Sequence, residues 1–137
     1  MRILAIDFGL KKIGIATTDL SKTIAYPLKT IFSKKNLDLT VDHILLELKD
    51  ILLQTEKIII GLPLHMDGNE SKMSEIVRNF SKILYAKTNI AVQLIDERLT
   101  SKQVEKDLLN NFNLTAKKRA KLVDPMSAAL LLSNFLS

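Results

Sequence analysis

The sequence predicts an α/β fold in which a mixed five-stranded sheet is flanked by helices. Three strand patterns come first along the chain, and two more strands then alternate with helical patterns. The chain has 137 residues, of which 47% are hydrophobic, and it has no cysteine. A core of useful size is therefore available, whereas disulfides and thiolate metal sites are excluded. We expect one domain that spans residues 1–137.

The first three strands are predicted to be antiparallel. Apolar runs at Arg2–Asp7 and Lys12–Thr18 flank a turn that contains Gly9, which is typical of a hairpin. A weaker strand pattern covers Thr23–Ile31 and is interrupted by Pro27, so this strand is expected at an edge of the sheet.

The remainder of the chain alternates helical and β-branched segments. Helical spacing of apolar residues predicts a helix from about Leu37 to Gln54 and another over residues 70–87, the latter capped by Ser71 or Asn69. Short β-rich runs predict strands at Lys57–Ile60 and Ile90–Ile95, and a further helix is predicted at Ser101–Leu109.

The last helix is expected to begin at Asp124-Pro125 and to continue through Phe135. Asp is a favoured N-cap residue and Pro is favoured in the first helical turn. The resulting order, βββαβαβαα, is that of an RNase H-like sheet, in which functional groups gather at the carboxyl ends of the parallel strands.

Acidic residues occur at the ends of three of these elements, which are expected to meet near the carboxyl ends of the parallel strands. Asp7 ends the first strand, Asp96 and Glu97 end the strand in "AVQLIDERLTS", and Asp124 precedes the last helix. Such carboxylates could share a metal ion. Each also has a structural interpretation: Asp124 as an N-cap, Asp7 as a turn residue, and only one of the neighbours Asp96 and Glu97 can point to a given face.

The net charge of +5 is concentrated in one segment. Between Arg98 and Lys121 lie seven basic residues and only two acids. This imbalance indicates a polyanionic partner such as nucleic acid, the alternative being a solvated helix face. Aromatic residues make up 5% of the chain and do not alternate with the basic residues, so no base-stacking surface is expected.

Four sequence blocks, in order and at matching spacing, resemble those of the YqgF (RuvX) family. They are "DFGLKKIGIATTD", "IIIGLPLHMDGNES", "LIDERLTS" and "KKRAKLVDPMSAALLL". The family is described as Holliday junction resolvases or pre-16S rRNA nucleases with an RNase H-like fold. The chain departs from the family pattern at Lys12, at His65 and at Pro125, where the family usually has Arg, Asn, and Ser or Ala, respectively.

The resemblance implies an enzyme that hydrolyses phosphodiester bonds and leaves a 5′-phosphate and a 3′-hydroxyl. It places the catalytic and metal-binding carboxylates at Asp7, Glu97 and Asp124, which would hold Mg²⁺ or Mn²⁺, as two ions. The substrate would be structured RNA, such as the 5′ end of precursor 16S rRNA, or branched DNA. Residues placed to contact it are Lys11, Lys12, Arg98, Thr100, Lys117, Lys118, Arg119 and Lys121.

Two other classes of function compete with a nuclease. One is a non-catalytic nucleic-acid-binding or ribosome-assembly module, in which the acids serve only the structure. The less favoured one is a nucleotide binder of the actin and hexokinase type, which requires a second glycine-rich phosphate loop that this sequence lacks. Because neither a signal-peptide pattern nor an apolar stretch of about 20 residues occurs, we expect a cytoplasmic protein without a membrane segment, as a monomer or homodimer.

Overall fold

The computed structural model describes residues 1–65, 67–97 and 116–137, and for residues 116–124 it describes the backbone alone. The strands in these ranges are β1 (Arg2–Asp7), β2 (Lys12–Thr18), β3 (Ala25–Phe32), β4 (Thr55–Leu62) and β5 (Ala91–Asp96). The helices are α1 (Leu37–Glu47), α2 (Lys49–Leu52), α3 (Lys72–Thr88) and α4 (Ala116–Leu136). None of the helices described is long and apolar enough to cross a membrane.

The five strands form one mixed sheet in the order β3-β2-β1-β4-β5. Strand β2 is antiparallel to both β1 and β3, whereas β1, β4 and β5 are parallel to one another. This arrangement confirms the predicted fold class. Strands β1, β3, β4 and β5 consequently end at the same edge of the sheet, which we call the carboxyl edge.

Each face of the sheet carries its own hydrophobic core. On one face, Ile6 and Ile15 pack against α1 and α3, with Phe80 of α3 among the fully buried side chains. On the other face, small residues such as Ala5 and Ala128 allow α4 to lie close to the sheet. Side chains that alternate along a strand therefore point to different helices.

Strand β3 contains a bulge at Leu28. Ile15 pairs with Lys29 and Ala16 pairs with Pro27, so Leu28 has no partner in β2. The extra residue resets the alternation of β3 halfway along the strand. The predicted edge position of this strand is confirmed, since β3 is the outermost strand beside β2.

The single helix predicted from Leu37 to Gln54 is wrong, because α1 ends at Glu47 and α2 follows separately. The backbone of Leu48 leaves the helical region, with φ −112° and ψ 16°. This side chain is buried in the core that α1 shares with α3. Tertiary packing thus overrides a helical spacing that continues across the break.

The predicted start of the last helix is also wrong. Helix α4 begins at Ala116, so Asp124 and Pro125 lie inside it and Asp124 is not its N-cap. Residues 116–121 are Ala, Lys and Arg, all strong helix formers, and they extend the helix backwards past the proline. The basic residues Lys117, Lys118, Arg119 and Lys121 therefore have their backbone in the first turns of α4. The helix predicted at Ser101–Leu109 lies outside the described residues.

Candidate active site

Asp7 lies at the carboxyl edge as the last residue of β1. Ala5, two positions earlier, belongs to the core beneath α4, so the side chain of Asp7 points to that same face. Asp7 pairs with Gly14 of β2 and is half-buried. The predicted acid thus stands at the end of the strand whose two neighbours are β2 and β4.

Glu97 follows directly after β5. Its backbone N–H lies 3.4 Å from the carbonyl oxygen of Leu62, which continues the pairing of β5 with β4 by one residue. Leu94 packs on the α1–α3 face and Ile95 on the α4 face. Alternation therefore sends Asp96 to the α1–α3 face and Glu97 to the face that Asp7 occupies.

The structure brings the carboxyl groups of Asp7 and Glu97 into hydrogen-bond contact. Burial raises the pKa of Glu97 to about 9, and the neighbouring charge of Asp7, with a smaller effect from Asp96, acts in the same direction. The pair therefore favours a state in which the two carboxyl groups share one proton. Two of the three predicted carboxylates form one unit.

Gly61 provides the space for this unit, a role that the sequence analysis missed. It lies within β4, and a Cβ atom at this position would overlap Oε2 of Glu97 and lie 2.7 Å from its Cδ. The sequence contained a signal for it, since a glycine that follows a β-branched run such as "III" within a strand often marks a close approach.

The third predicted carboxylate, Asp124, is placed by its backbone alone. It lies in α4, which packs over β1, β2 and β3. Near the other end of this helix, the Phe135 ring lies 5.3 Å from Nζ of Lys57 at the beginning of β4. The end of α4 therefore lies near the beginning of β4, away from the carboxyl edge. Among the side chains that are described, no group of three or more potential metal ligands is assembled.

The predicted substrate contacts fall into three groups. Lys11 and Lys12 are exposed at the carboxyl edge, where Lys11 ends the turn and Lys12 begins β2. A Cβ at Gly9 would overlap the carbonyl oxygen of Lys12, so the backbone comes close to itself in this turn. Arg98 and Thr100 lie outside the described residues, and the four basic residues of the last block have their backbone in α4.

Comparison with known proteins shows which family the chain resembles. The model of the RuvX family, described as Holliday junction resolvase, matches residues 1–137. A relative from Protochlamydia amoebophila is 43% identical over 98% of this chain and 92% of its own length. A relative from Endomicrobium trichonymphae is 38% identical over 98% and 94%, respectively. Both carry the name "Putative pre-16S rRNA nuclease".

Two solved structures share the fold at low sequence identity. The fowlpox virus Holliday junction resolvase has a TM-score of 0.60 and 16% identity, and covers 99% of this chain and 98% of its own. Thermus thermophilus RuvC in complex with a Holliday junction substrate has a TM-score of 0.54 and 14% identity, with 96% and 91% covered. At these identities the likeness concerns the fold, and it confirms the predicted RNase H-like sheet.

Proposed function

The chain belongs to the RuvX family, and from that membership we propose that it is a divalent-metal-dependent nuclease that uses Asp7, Glu97 and Asp124. Membership confirms the predicted resemblance and the nuclease class. The observation that carries the proposal is the contact between the carboxyl groups of Asp7 and Glu97 at the carboxyl edge.

The Asp7–Glu97 pair fits a hard divalent cation. It offers only oxygen donors, which Mg²⁺ and Mn²⁺ accept, and the two carboxyl groups stay together in the absence of metal by sharing a proton. A cation would replace that proton and remove the repulsion between the two charges. The space that Gly61 leaves beside Glu97 keeps its carboxyl group at the site.

Helical geometry supports Asp124 as the third ligand. Asp124 precedes Phe135 by eleven residues, which is about 16 Å along a helix, whereas Lys57 and Gly61 are separated by about 13 Å along β4. Position 124 also precedes the buried residues Ala128 and Leu131 by four and seven positions, the spacing of a single helix face. Both relations favour a place for Asp124 above the carboxyl edge.

The residues of this chain would bind the metal and the substrate phosphates. When bound, Mg²⁺ or Mn²⁺ neutralises charge on the phosphodiester and lowers the pKa of an attacking water. Asp7 and Glu97 would hold the cation once the pair has released its shared proton. Lys11 and Lys12, exposed at the same edge, attract the phosphates on either side of the bond that is cut.

We propose the 5′ region of precursor 16S rRNA as the substrate. The two relatives reported above, at 38–43% identity, are named for pre-16S rRNA, whereas the resolvase structures share only the fold. A four-way DNA junction is the alternative, because the family description names Holliday junctions.

The test is a cleavage assay with two labelled substrates, a precursor 16S rRNA 5′ fragment and a synthetic four-way DNA junction, in Mg²⁺, Mn²⁺ or chelator. Asp7→Asn, Glu97→Gln and Asp124→Asn proteins run in parallel to exclude a contaminating nuclease. We expect metal-dependent cutting of the RNA that is lost in all three variants. Cutting that survives Asp7→Asn would refute the site, and cutting of the junction alone would refute the substrate. Tight binding in chelator without any cutting would instead indicate a non-catalytic binding module.

A further inference from the structure

Phe32 is an exposed aromatic residue at the carboxyl edge. It is the last residue of β3, and 60% of its surface is accessible to solvent. Exposed apolar residues are common, but among the exposed large hydrophobic residues that the structure describes Phe32 is the only phenylalanine, and its ring offers a face for stacking.

The sheet places Phe32 on the same face as the Asp7–Glu97 pair. Phe32 pairs with Lys12 of β2, while the next pair along, Ile13 and Ile31, points into the core beneath α1 and α3. Lys12 and Phe32 therefore point to the α4 face, as Asp7 does. Two strand spacings and two residues separate Phe32 from Asp7, which corresponds to about 12 Å.

Four exposed lysines lie near Phe32 along the chain or across the sheet. Lys11 precedes β2, Lys12 begins β2 opposite Phe32, and Lys34 and Lys35 follow Phe32 after Ser33. In the part of the chain that the structure describes, none of the four forms an ion pair with a carboxylate. We call Phe32 and these four lysines the lysine–phenylalanine platform.

Hydrogen bonds hold the two halves of the platform together. The backbone N–H of Ser33 donates to the carbonyl oxygen of Lys11 at 2.9 Å, and the Ser33 hydroxyl donates to the carbonyl oxygen of Gly9 at 3.1 Å. The end of β3 is thus fixed against the β1–β2 turn. A fixed aromatic surface loses little conformational entropy when a ligand stacks on it.

We propose that the lysine–phenylalanine platform binds an unpaired nucleotide strand next to the bond that is cut, with a base stacked on Phe32 and phosphates bound by the lysines. An aromatic face within a positively charged surface is the combination that binds single-stranded nucleic acid. A base within a duplex is already stacked and cannot reach the ring. The proposal rests on the proposed nuclease function and adds that its substrate is unpaired at this point.

The test is fluorescence anisotropy in chelator, with unpaired RNA and DNA oligonucleotides and with a duplex of the same length. We expect Phe32→Leu to weaken binding of unpaired strands on the order of tenfold and to leave duplex binding unchanged. Phe32→Tyr should retain the affinity. Tyr85→Leu is the matched control, since Tyr85 is 51% exposed on α3. Comparison of the affinities for unpaired RNA and unpaired DNA shows whether the platform prefers ribose or deoxyribose.

The salt dependence separates the two kinds of contact. Lys12→Gln and Lys34→Gln should each lower the slope of log affinity against log salt by about 0.7, whereas Phe32→Leu should leave the slope unchanged. Equal binding by wild type and Phe32→Leu would overturn the proposal. An equal loss of affinity for the duplex would also overturn it. So would a Phe32→Leu protein in which only the sedimentation behaviour changes, because the ring would then belong to a contact between two copies of the chain.

The two proposals can fail separately. If the wild-type protein never cuts but Phe32-dependent binding is present, the nuclease function fails and the platform stands. If metal-dependent cutting is present and Phe32→Leu binds and cuts as wild type does, the platform alone is wrong. Circular dichroism and thermal melting of each variant verify that the fold is retained.

Discussion

The carboxyl group of Glu97 couples the stability of this protein to pH. Burial and the neighbouring Asp7 raise its pKa in the folded state to about 9, against a reference value of 4.5. Between these two values the unfolded chain loses the proton that the folded chain keeps. Rising pH therefore favours the unfolded state across this window.

We predict that the metal-free protein loses stability between about pH 5 and pH 9 and that Glu97→Gln removes this part of the loss. Below pH 4.5 Glu97 is protonated in both states, so its contribution is then fully present. Urea unfolding in chelator at pH 5, 7 and 9 measures the effect. Parallel pH profiles for wild type and Glu97→Gln would show that Glu97 titrates normally.

A second prediction concerns Gly61. Gly61→Ala places a Cβ against the carboxyl group of Glu97, which has to move away from Asp7. We expect metal affinity, measured by calorimetric titration with Mn²⁺, to fall 10- to 100-fold, as is usual when the support of a ligand is lost.

The control for this substitution is Ile59→Val, two residues earlier on the same face of β4. It should reduce stability by about 1 kcal/mol and leave metal affinity unchanged. Wild-type affinity in Gly61→Ala would mean that Glu97 binds metal from a different position.

At the scale of elements, α3 begins with a reciprocal cap. The Ser71 hydroxyl accepts from the Ser74 N–H at 3.1 Å, and the Ser74 hydroxyl accepts from the Ser71 N–H at 3.0 Å. The Ser74 hydroxyl also donates to the carbonyl oxygen of Pro63, just after β4. The cap therefore fixes the start of α3 to the carboxyl edge.

Ser71→Ala removes one half of this cap. We predict a loss of about 1 kcal/mol in the free energy of unfolding, measured by urea denaturation. Ser81→Ala is the control, because the Ser81 hydroxyl donates back to the Arg78 carbonyl within the same helix. A loss as large in Ser81→Ala would mean that the cap contributes nothing specific.

Some of the helices and strands could be predicted from sequence patterns, and others could not. The strands, the cap at Ser71 and the carboxyl edge could be predicted, because periodicity and capping are local properties of the chain. The break at Leu48 and the start of α4 could not, since packing and strong helix formers outweighed the signals at those points. Gly61 and Phe32 were missed because their roles depend on residues in other strands.

At the scale of the whole molecule, α4 lies close to the sheet because small residues line the contact. Ala5, Ala16, Ala128 and Ala129 supply this surface. The opposite core is built from larger side chains such as Ile44 and Phe80. The position of α4, and of Asp124 within it, therefore depends on the size of a few alanines.

We predict that Ala128→Val both destabilises the protein by about 1–3 kcal/mol and lowers single-turnover cleavage, since α4 has to move away from the sheet. Ile44→Val, in the opposite core, should lose about 1 kcal/mol and cleave at the wild-type rate. If the two variants cleave at the same rate at a temperature well below both melting points, activity does not depend on the position of α4.

The bulge at Leu28 determines where β3 tolerates a change in length. Three residue steps lead from Pro27 to Thr30, but only two lead from Ala16 to Gly14 on the partner strand. Loss of Leu28 would equalise the two counts and leave Ile31 in the core and Phe32 at the surface. Loss of a residue between Leu28 and Phe32 without closure of the bulge would exchange these two side chains. Homologous chains that are one residue shorter in β3 are therefore expected to have lost the bulge and kept the aromatic face.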